Sequence, residues 1–209
     1  MKLFPPWYTL EARNDKEPGC APQNDKDCEE SIILLLTHFN LTRIGLLSDT
    51  HGWLDEAIFL HFKDCDEIWH AGDFGNIAIA NAIINKIGKE KILRGVYGNV
   101  DGQDIRSIYP EKLHFSVEEV KVFIQHIGGY PDRYAPGVAK EIQSHQSQLF
   151  ISGHSHILKI IFDPKLNCLH MNPGAAGREG WHKMRTLIRF SIDGKDIKNC
   201  EVIELGKRG

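Results

Sequence analysis

The 209-residue chain is long enough for one domain with a substantial core. Its hydrophobic fraction of 42% and charged fraction of 25% are ordinary for a soluble globular protein. A formal charge of −3 and a pI near 6.4 give no global basic excess to draw it to nucleic acid or an anionic membrane, although a local basic lip around a phosphate site remains compatible.

No run approaches the ~20 apolar residues of a membrane span. Residues 31–36 are apolar but too short, and an acidic stretch precedes them. No export signal is evident. The five cysteines (Cys20, Cys28, Cys65, Cys168 and Cys200) are odd in number and form no CxxC pair. That argues against a disulfide framework or a structural zinc site and for reduced thiols in a cytoplasmic protein.

Residues 1–41 carry Pro5, Pro6, Pro18, Gly19, Pro22 and many charges without clear periodicity. They read as a poorly ordered N-terminal extension, or as sequence lying upstream of the domain proper. Within them, residues 32–36 could form an extra edge strand or a short helix. The domain itself is expected over residues 42–209.

From Thr42 the pattern becomes regular. Residues 43–48 are a short apolar run breaking at Asp49-Thr50-His51-Gly52, a strand entering a loop. Residues 54–62 place Leu54, Ile58 and Phe62 on one helical face. Residues 67–70 form the next strand, ending in Ala71-Gly72-Asp73. Residues 76–87 read as helix, with Ile79, Ile83 and Ile87 four apart. Residues 91–96 form a third strand leading into Tyr97-Gly98-Asn99-Val100-Asp101-Gly102. Such a series implies a parallel sheet with right-handed crossovers.

The second half is β-rich. Residues 112–117 and 121–127 alternate as a hairpin joined by Glu118-Glu119. Residues 138–146 are a helix. Residues 149–152 are a strand opening onto Gly153-His154-Ser155-His156. Residues 158–162, 168–171, 185–192 and 196–203 follow as largely antiparallel strands, with the turn-rich Asn172-Pro173-Gly174-Ala175-Ala176-Gly177 between them. Two mixed sheets packed face to face, with helices outside, fit this order.

The polar residues collect at strand ends. Asp49 and His51 end the first strand, Asp73 the second and Asn99 the third; His126 ends a later one, and His154 and His156 follow another. In open α/β sheets that edge is where ligands bind. Each residue also has a plain reading. Asp49 could cap the following helix, as could Asn76; Asp73 and Asn99 could be turn residues; His126 could be a half-buried sheet histidine; the histidine pair could be exposed loop residues. Their joint occurrence at strand ends, each beside a glycine, is what favours a site. Oxygen and nitrogen donors without thiolate suit Mn, Fe, Zn, Ni or Co. Seven are too many for one such ion and suit two ions about 3.5–4 Å apart.

The ordered set Asp49-x-His51, Gly72-Asp73, Gly98-Asn99-x-Asp101, His126 and Gly153-His154-x-His156 resembles the calcineurin-like metallophosphoesterase superfamily. Short spacing and the Asn172–Gly177 loop are similar to its compact bacterial and archaeal phosphodiesterase branch. The resemblance spans residues 42–205 and implies a four-layer α/β/β/α sandwich. It puts Asp49, His51 and His156 on one metal, Asn99, His126 and His154 on a second, and Asp73 on both. Many members follow the His126 equivalent directly with glycine; here Ile127 intervenes before Gly128-Gly129.

Asp101 is expected to orient Asn99 or a neighbouring loop, or to be a plain turn aspartate. Larger members often carry histidine where this chain has Val100, which can neither give a proton nor stabilise charge. Arg178, His182 and Lys183 could touch substrate or be solvated surface charges.

The implied activity is hydrolysis of phosphodiesters by a hydroxide bridging two divalent transition-metal ions, Mn2+ first, with Ni2+, Fe2+, Zn2+ or Co2+ as alternatives. Asp73, Asn99 and His126 are the expected catalytic residues. A phosphomonoesterase, or a non-catalytic protein-binding scaffold, is the alternative. The expected partner is a small phosphoester. Membrane is excluded, nucleic acid is disfavoured for want of a basic stripe, and a homo-oligomer is compatible.

Overall fold

The computed structural model describes residues 41–88 and 90–209. The expectations for residues 1–40, including a strand or helix at 32–36, lie outside the described residues. From β1 (Thr42–Leu47) the chain runs through α1 (Ala57–His61), β2 (Glu67–His70), α2 (Ile77–Ile87), β3 (Ile92–Gly95) and α3 (Gln103–Arg106). There follow β4 (Lys112–Val117), β5 (Val120–Gln125), β6 (Gly129–Tyr130), β7 (Arg133–Tyr134), α4 (Val138–His145) and β8 (Leu149–Ile151). The chain then passes through β9 (Leu158–Asp163), β10 (Cys168–Pro173), β11 (Met184–Asp193) and β12 (Asp196–Lys207).

The first five-stranded sheet has the order β12-β11-β1-β2-β3, and the second β4-β5-β8-β10-β9. β1, β2 and β3 are parallel, and so are β5, β8 and β10. Antiparallel strands flank both groups: β11 and β12 in the first sheet, β4 and β9 in the second.

Side-chain alternation along the strands builds the layers. Ile44 and Leu46 of β1, Trp69 of β2, Val122 and Ile124 of β5, Leu149 and Ile151 of β8, and Phe190 of β11 fill the core between the sheets. Trp69 meets Phe115 and Phe190 edge-on, with centroids 5.0 and 5.6 Å away, and donates its indole N–H to Glu67 at 2.7 Å. Its loss would cost about 3–5 kcal/mol, as for other large core aromatics.

The alternate residues face outward. Leu47, Ile68 and Leu187 pack with Ile58, Phe62, Ile79 and Ile83 of the α1 and α2 regions. Phe123, Phe150 and Cys168 pack with Val138 and Ile142 of α4. The result is the four-layer α/β/β/α sandwich. Gly45 shows how close the helix layer lies: a Cβ there would meet the Phe62 ring at 2.6 Å.

Three features depart from the local patterns. The late strands are not one antiparallel run: β10 pairs parallel with β8, while β11 and β12 cross to the first sheet. α1 begins only at Ala57, because Asp55 turns back to accept the Ala57 N–H and to pair with Arg185 at 2.7 Å. The small β6–β7 ladder and α3 were not legible, being too short for any periodicity to register.

Candidate active site

The parallel strands place their C-terminal ends along one edge, and backbone hydrogen bonds lock the emerging loops together. Asp49 N–H donates to Gly72 O at 3.0 Å, His51 N–H to Asp73 O at 3.1 Å and Gly52 N–H to Phe74 O at 2.8 Å. Within the second sheet Gly153 N–H donates to His126 O at 3.0 Å, and His126 Nδ1 joins that sheet to the first through Ala71 O at 2.7 Å. The Asn172 amide donates to Gly153 O at 2.7 Å and Ser155 Oγ at 3.2 Å, so the end of β10 braces the histidine loop. Asp49, His51, Asp73, His154 and His156 all have φ between +48° and +64°. Left-handed backbone at five non-glycine residues costs about 1–2 kcal/mol each and persists only where surrounding contacts enforce it.

Two triads result. Asp49, His51 and His156 form the first, and Asp73, His126 and His154 the second; within each, one donor atom per residue lies within 4.8 Å of the others. His156 Nε2 is 3.1 Å from Asp49 Oδ1 and 3.2 Å from His51 Nε2. His126 Nε2 is 3.1 Å from Asp73 Oδ2. The triads also touch. His51 Nε2 lies 3.9 Å from Asp73 Oδ2, and His126 Nε2 lies 3.9 Å from Asp49 Oδ1. Asp49 and Asp73 are buried, at 0% and 2% exposure. Both carboxylates therefore stand between the two histidine groups.

Asp49 caps no helix, since α1 starts eight residues later. Asn76 does stand at the N-cap of α2, but its side chain does not cap it; Asp104 instead accepts the Ile77 N–H at 3.0 Å. Asn99 is exposed and lines, with His126, a cavity of about 350 Å³. Ile127 points outward at 43% exposure, so its insertion after His126 leaves the histidine buried.

His126 tests whether the donors fit a cation. A carbonyl oxygen can only accept, so the bond to Ala71 O places a proton on Nδ1 and turns the Nε2 lone pair inward. That buried nitrogen has no hydrogen-bond partner among the described residues, yet it faces Asp73 Oδ2. Two electron-rich atoms so close call for positive charge between them. Burial alone would lower the His126 pKa, but the Asp73 and Asp49 carboxylates raise it above the ordinary histidine value. The residues therefore fit divalent metal ions.

Asp101 is more than a turn residue. Buried, it accepts the Gly98 N–H at 2.7 Å and the Gly75 N–H at 2.8 Å, tying the loop after β3 to the loop after β2. Arg178 stacks on Trp53 at 4.2 Å, and His182 sits edge-on to His156 at 5.2 Å while donating to Gly177 O. Arg106 was missed by the motif pattern. It lies on α3 and reaches back to Asp101 O at 2.7 Å and Gly98 O at 3.3 Å, a contact no sequence periodicity signals.

His70 holds the site from beneath. It accepts the Gly72 N–H on Nδ1 at 3.2 Å and meets Thr50 Oγ1 at 3.0 Å with Nε2. Burial, then the neighbouring His126, lowers its pKa to about 3; burial, then Lys159, does the same to His170. Both stay neutral in the folded protein and charge freely when unfolded. Their contribution is complete above about pH 6.5 and is lost as pH falls towards 3, by up to about 1.4 kcal/mol per pH unit for each. Urea unfolding between pH 7 and 4.5 should show that decline; a flat profile would contradict it.

A family model for the calcineurin-like phosphoesterase superfamily domain matches residues 42–195. No curated protein matches the chain. Among solved structures, the chain is similar to an archaeal phosphodiesterase described as novel (TM-score 0.61, 20% identity, 78% of this chain and 100% of that one). It is similar to a predicted phosphoesterase from Streptococcus pneumoniae (TM-score 0.51, 18% identity, 78% and 98%). It is also similar to Vps29 complexed with zinc from Entamoeba histolytica (TM-score 0.57, 12% identity, 78% and 99%). With the family model spanning β1 to β11 and every residue of the two triads, the chain belongs to the calcineurin-like phosphoesterase superfamily.

Proposed function

We propose that this protein is a dinuclear-metal phosphodiesterase. The observation that carries the reading is the pair of triads meeting at two buried carboxylates, Asp49 and Asp73. Asp49, His51 and His156 would hold one ion, Asn99, His126 and His154 the other, and Asp73 would serve both. Divalent ions bound there supply activated water near neutral pH and offset charge developing on the phosphoryl oxygens.

The chain's own residues do the rest. Ala71 O keeps the His126 proton on Nδ1, so Nε2 remains a donor of electrons. The Val100 N–H donates to Asp73 Oδ1 at 3.0 Å and keeps that carboxylate oriented. The Val100 side chain is half exposed beside it and offers no proton, so the departing oxygen takes its proton from solvent, which favours good leaving groups.

A diester is preferred over a monoester. Likeness to the archaeal phosphodiesterase supports this. The scaffold reading draws on the likeness to Vps29, a protein named for vacuolar sorting in a second solved structure.

The test strips metal with a chelator and restores Mn2+, Ni2+, Fe2+, Zn2+ or Co2+ in turn. Hydrolysis of bis(p-nitrophenyl) phosphate and p-nitrophenyl phosphate is then measured. The expected result is loss on chelation, recovery with Mn2+ and faster diester cleavage. Faster monoester cleavage overturns the diester preference, and neither metal nor turnover would favour the scaffold.

A further inference from the structure

We propose that the cavity beside His126 and Asn99 is a recognition subsite for a hydroxyl-bearing organic group of the substrate, of the sugar class, selected by Arg106, Glu111 and Gln125. The inference rests on the phosphoesterase reading and names the substrate class of that same site. At about 350 Å³ the cavity falls within the ~300–1,000 Å³ range of small-molecule sites. Tyr97 and Ile127 give it apolar wall, and Arg106, Glu111 and Gln125 give it polar wall.

The polar groups have capacity to spare. The Gln125 side-chain N–H donates to Ile127 O at 3.2 Å, which sets the amide's direction and leaves Oε1 buried without a partner among the described residues. Leaving a buried acceptor so is costly, and a ligand donor would recover that cost. Glu111 uses Oε2 to accept the Tyr97 hydroxyl at 3.2 Å, and no partner among the described residues engages Oε1. Arg106 spends Nε and Nη2 on the carbonyls of Asp101, Gly98 and Asn99 and stacks over Tyr97 at 4.5 Å. Its Nη1 has no partner among the described residues.

The wall therefore offers two acceptors and one donor around an aromatic ring. Hydroxyls both donate and accept, so a group bearing several of them matches all three. An aryl group has no donor for Gln125 or Glu111. A second phosphoryl group is repelled by the Glu111 carboxylate, so the reacting phosphate belongs at the Asp and His rim.

Three esters sharing the p-nitrophenolate leaving group provide the test: bis(p-nitrophenyl) phosphate, ribose 5-(p-nitrophenyl phosphate) and thymidine 5′-(p-nitrophenyl phosphate). The full chain with Mn2+ should cleave the ribose ester with kcat/KM at least tenfold above the bis-aryl ester. Glu111→Gln and Gln125→Leu should each bring that ratio down at least fivefold, mainly through KM. His145→Ala, on α4 at the outer face of the second sheet, should leave it unchanged.

Equal rates on the ribose and bis-aryl esters, or ratios that survive both variants, overturn the proposal. So does a preference confined to the thymidine ester, since the base would then be the group recognised. If no ester turns over with any metal, the phosphoesterase reading itself fails. Calorimetric binding of ribose 5-phosphate then decides the subsite: weakening by Glu111→Gln supports it, and absent or unchanged binding overturns it.

Discussion

Asp73→Asn should lower kcat/KM on bis(p-nitrophenyl) phosphate by about a thousandfold or more, with the fold intact. The side chain is buried, accepts the Val100 N–H on one oxygen and turns the other towards His126 and His51, at 3.1 and 3.9 Å. An amide keeps the shape and can still accept from Val100. Its NH2 can also donate to Nε2 of a neutral His126, which keeps a hydrogen bond between the two side chains. The variant should therefore still fold and melt cooperatively when metal-free. Removing a shared negative charge, however, weakens both ions together. Several kcal/mol of charge stabilisation corresponds to the thousandfold figure. Metal content per chain, read by mass spectrometry, should fall alongside the rate. Near-normal turnover would show that Asp73 is not a shared ligand.

Gly98→Ala should cost about a hundredfold in rate, together with 1–3 kcal/mol of stability. A Cβ at this position would overlap both Asp73 Oδ1 and the Asp73 backbone nitrogen. The loop cannot simply retreat, because Asp101 holds the Gly98 N–H from behind and is itself tied to Gly75. The strain must move Asp73. A displacement near 1 Å at a catalytic group commonly costs a hundredfold, and overpacking in a tight site costs 1–3 kcal/mol. Rate and urea stability measured on the same preparation check both halves. An alanine variant with full activity would mean that the Asp73 carboxylate need not stand where these contacts put it.

Glycine at 98 also shows how much the chain discloses of its own site. Its presence before Asn99 is visible in the sequence; that it makes room for Asp73, 25 positions earlier, is not. Asp101 is similar. Its place three residues after Gly98 suggests a turn, but its second bond, to Gly75, exists only because the ends of β2 and β3 lie side by side. Arg106 carries no local signal at all. It matters because α3 folds it back over Tyr97 and the loop carbonyls.

The sequence by itself determined the order of the longer strands and helices, because apolar runs such as β1 and β8 follow from which side chains can leave water. It also determined which donors stand at strand ends. Tertiary structure alone decided how these donors divide into two triads and which carboxylates lie between them. It also decided that β11 and β12 join the first sheet and that a polar cavity adjoins His126. The reason is physical. Such local patterns act over a few residues, whereas the contact of Asp49 with His156 depends on two sheets closing over Trp69, Phe190 and Ile151. That closure is set by the burial of the whole core and by no short stretch of chain.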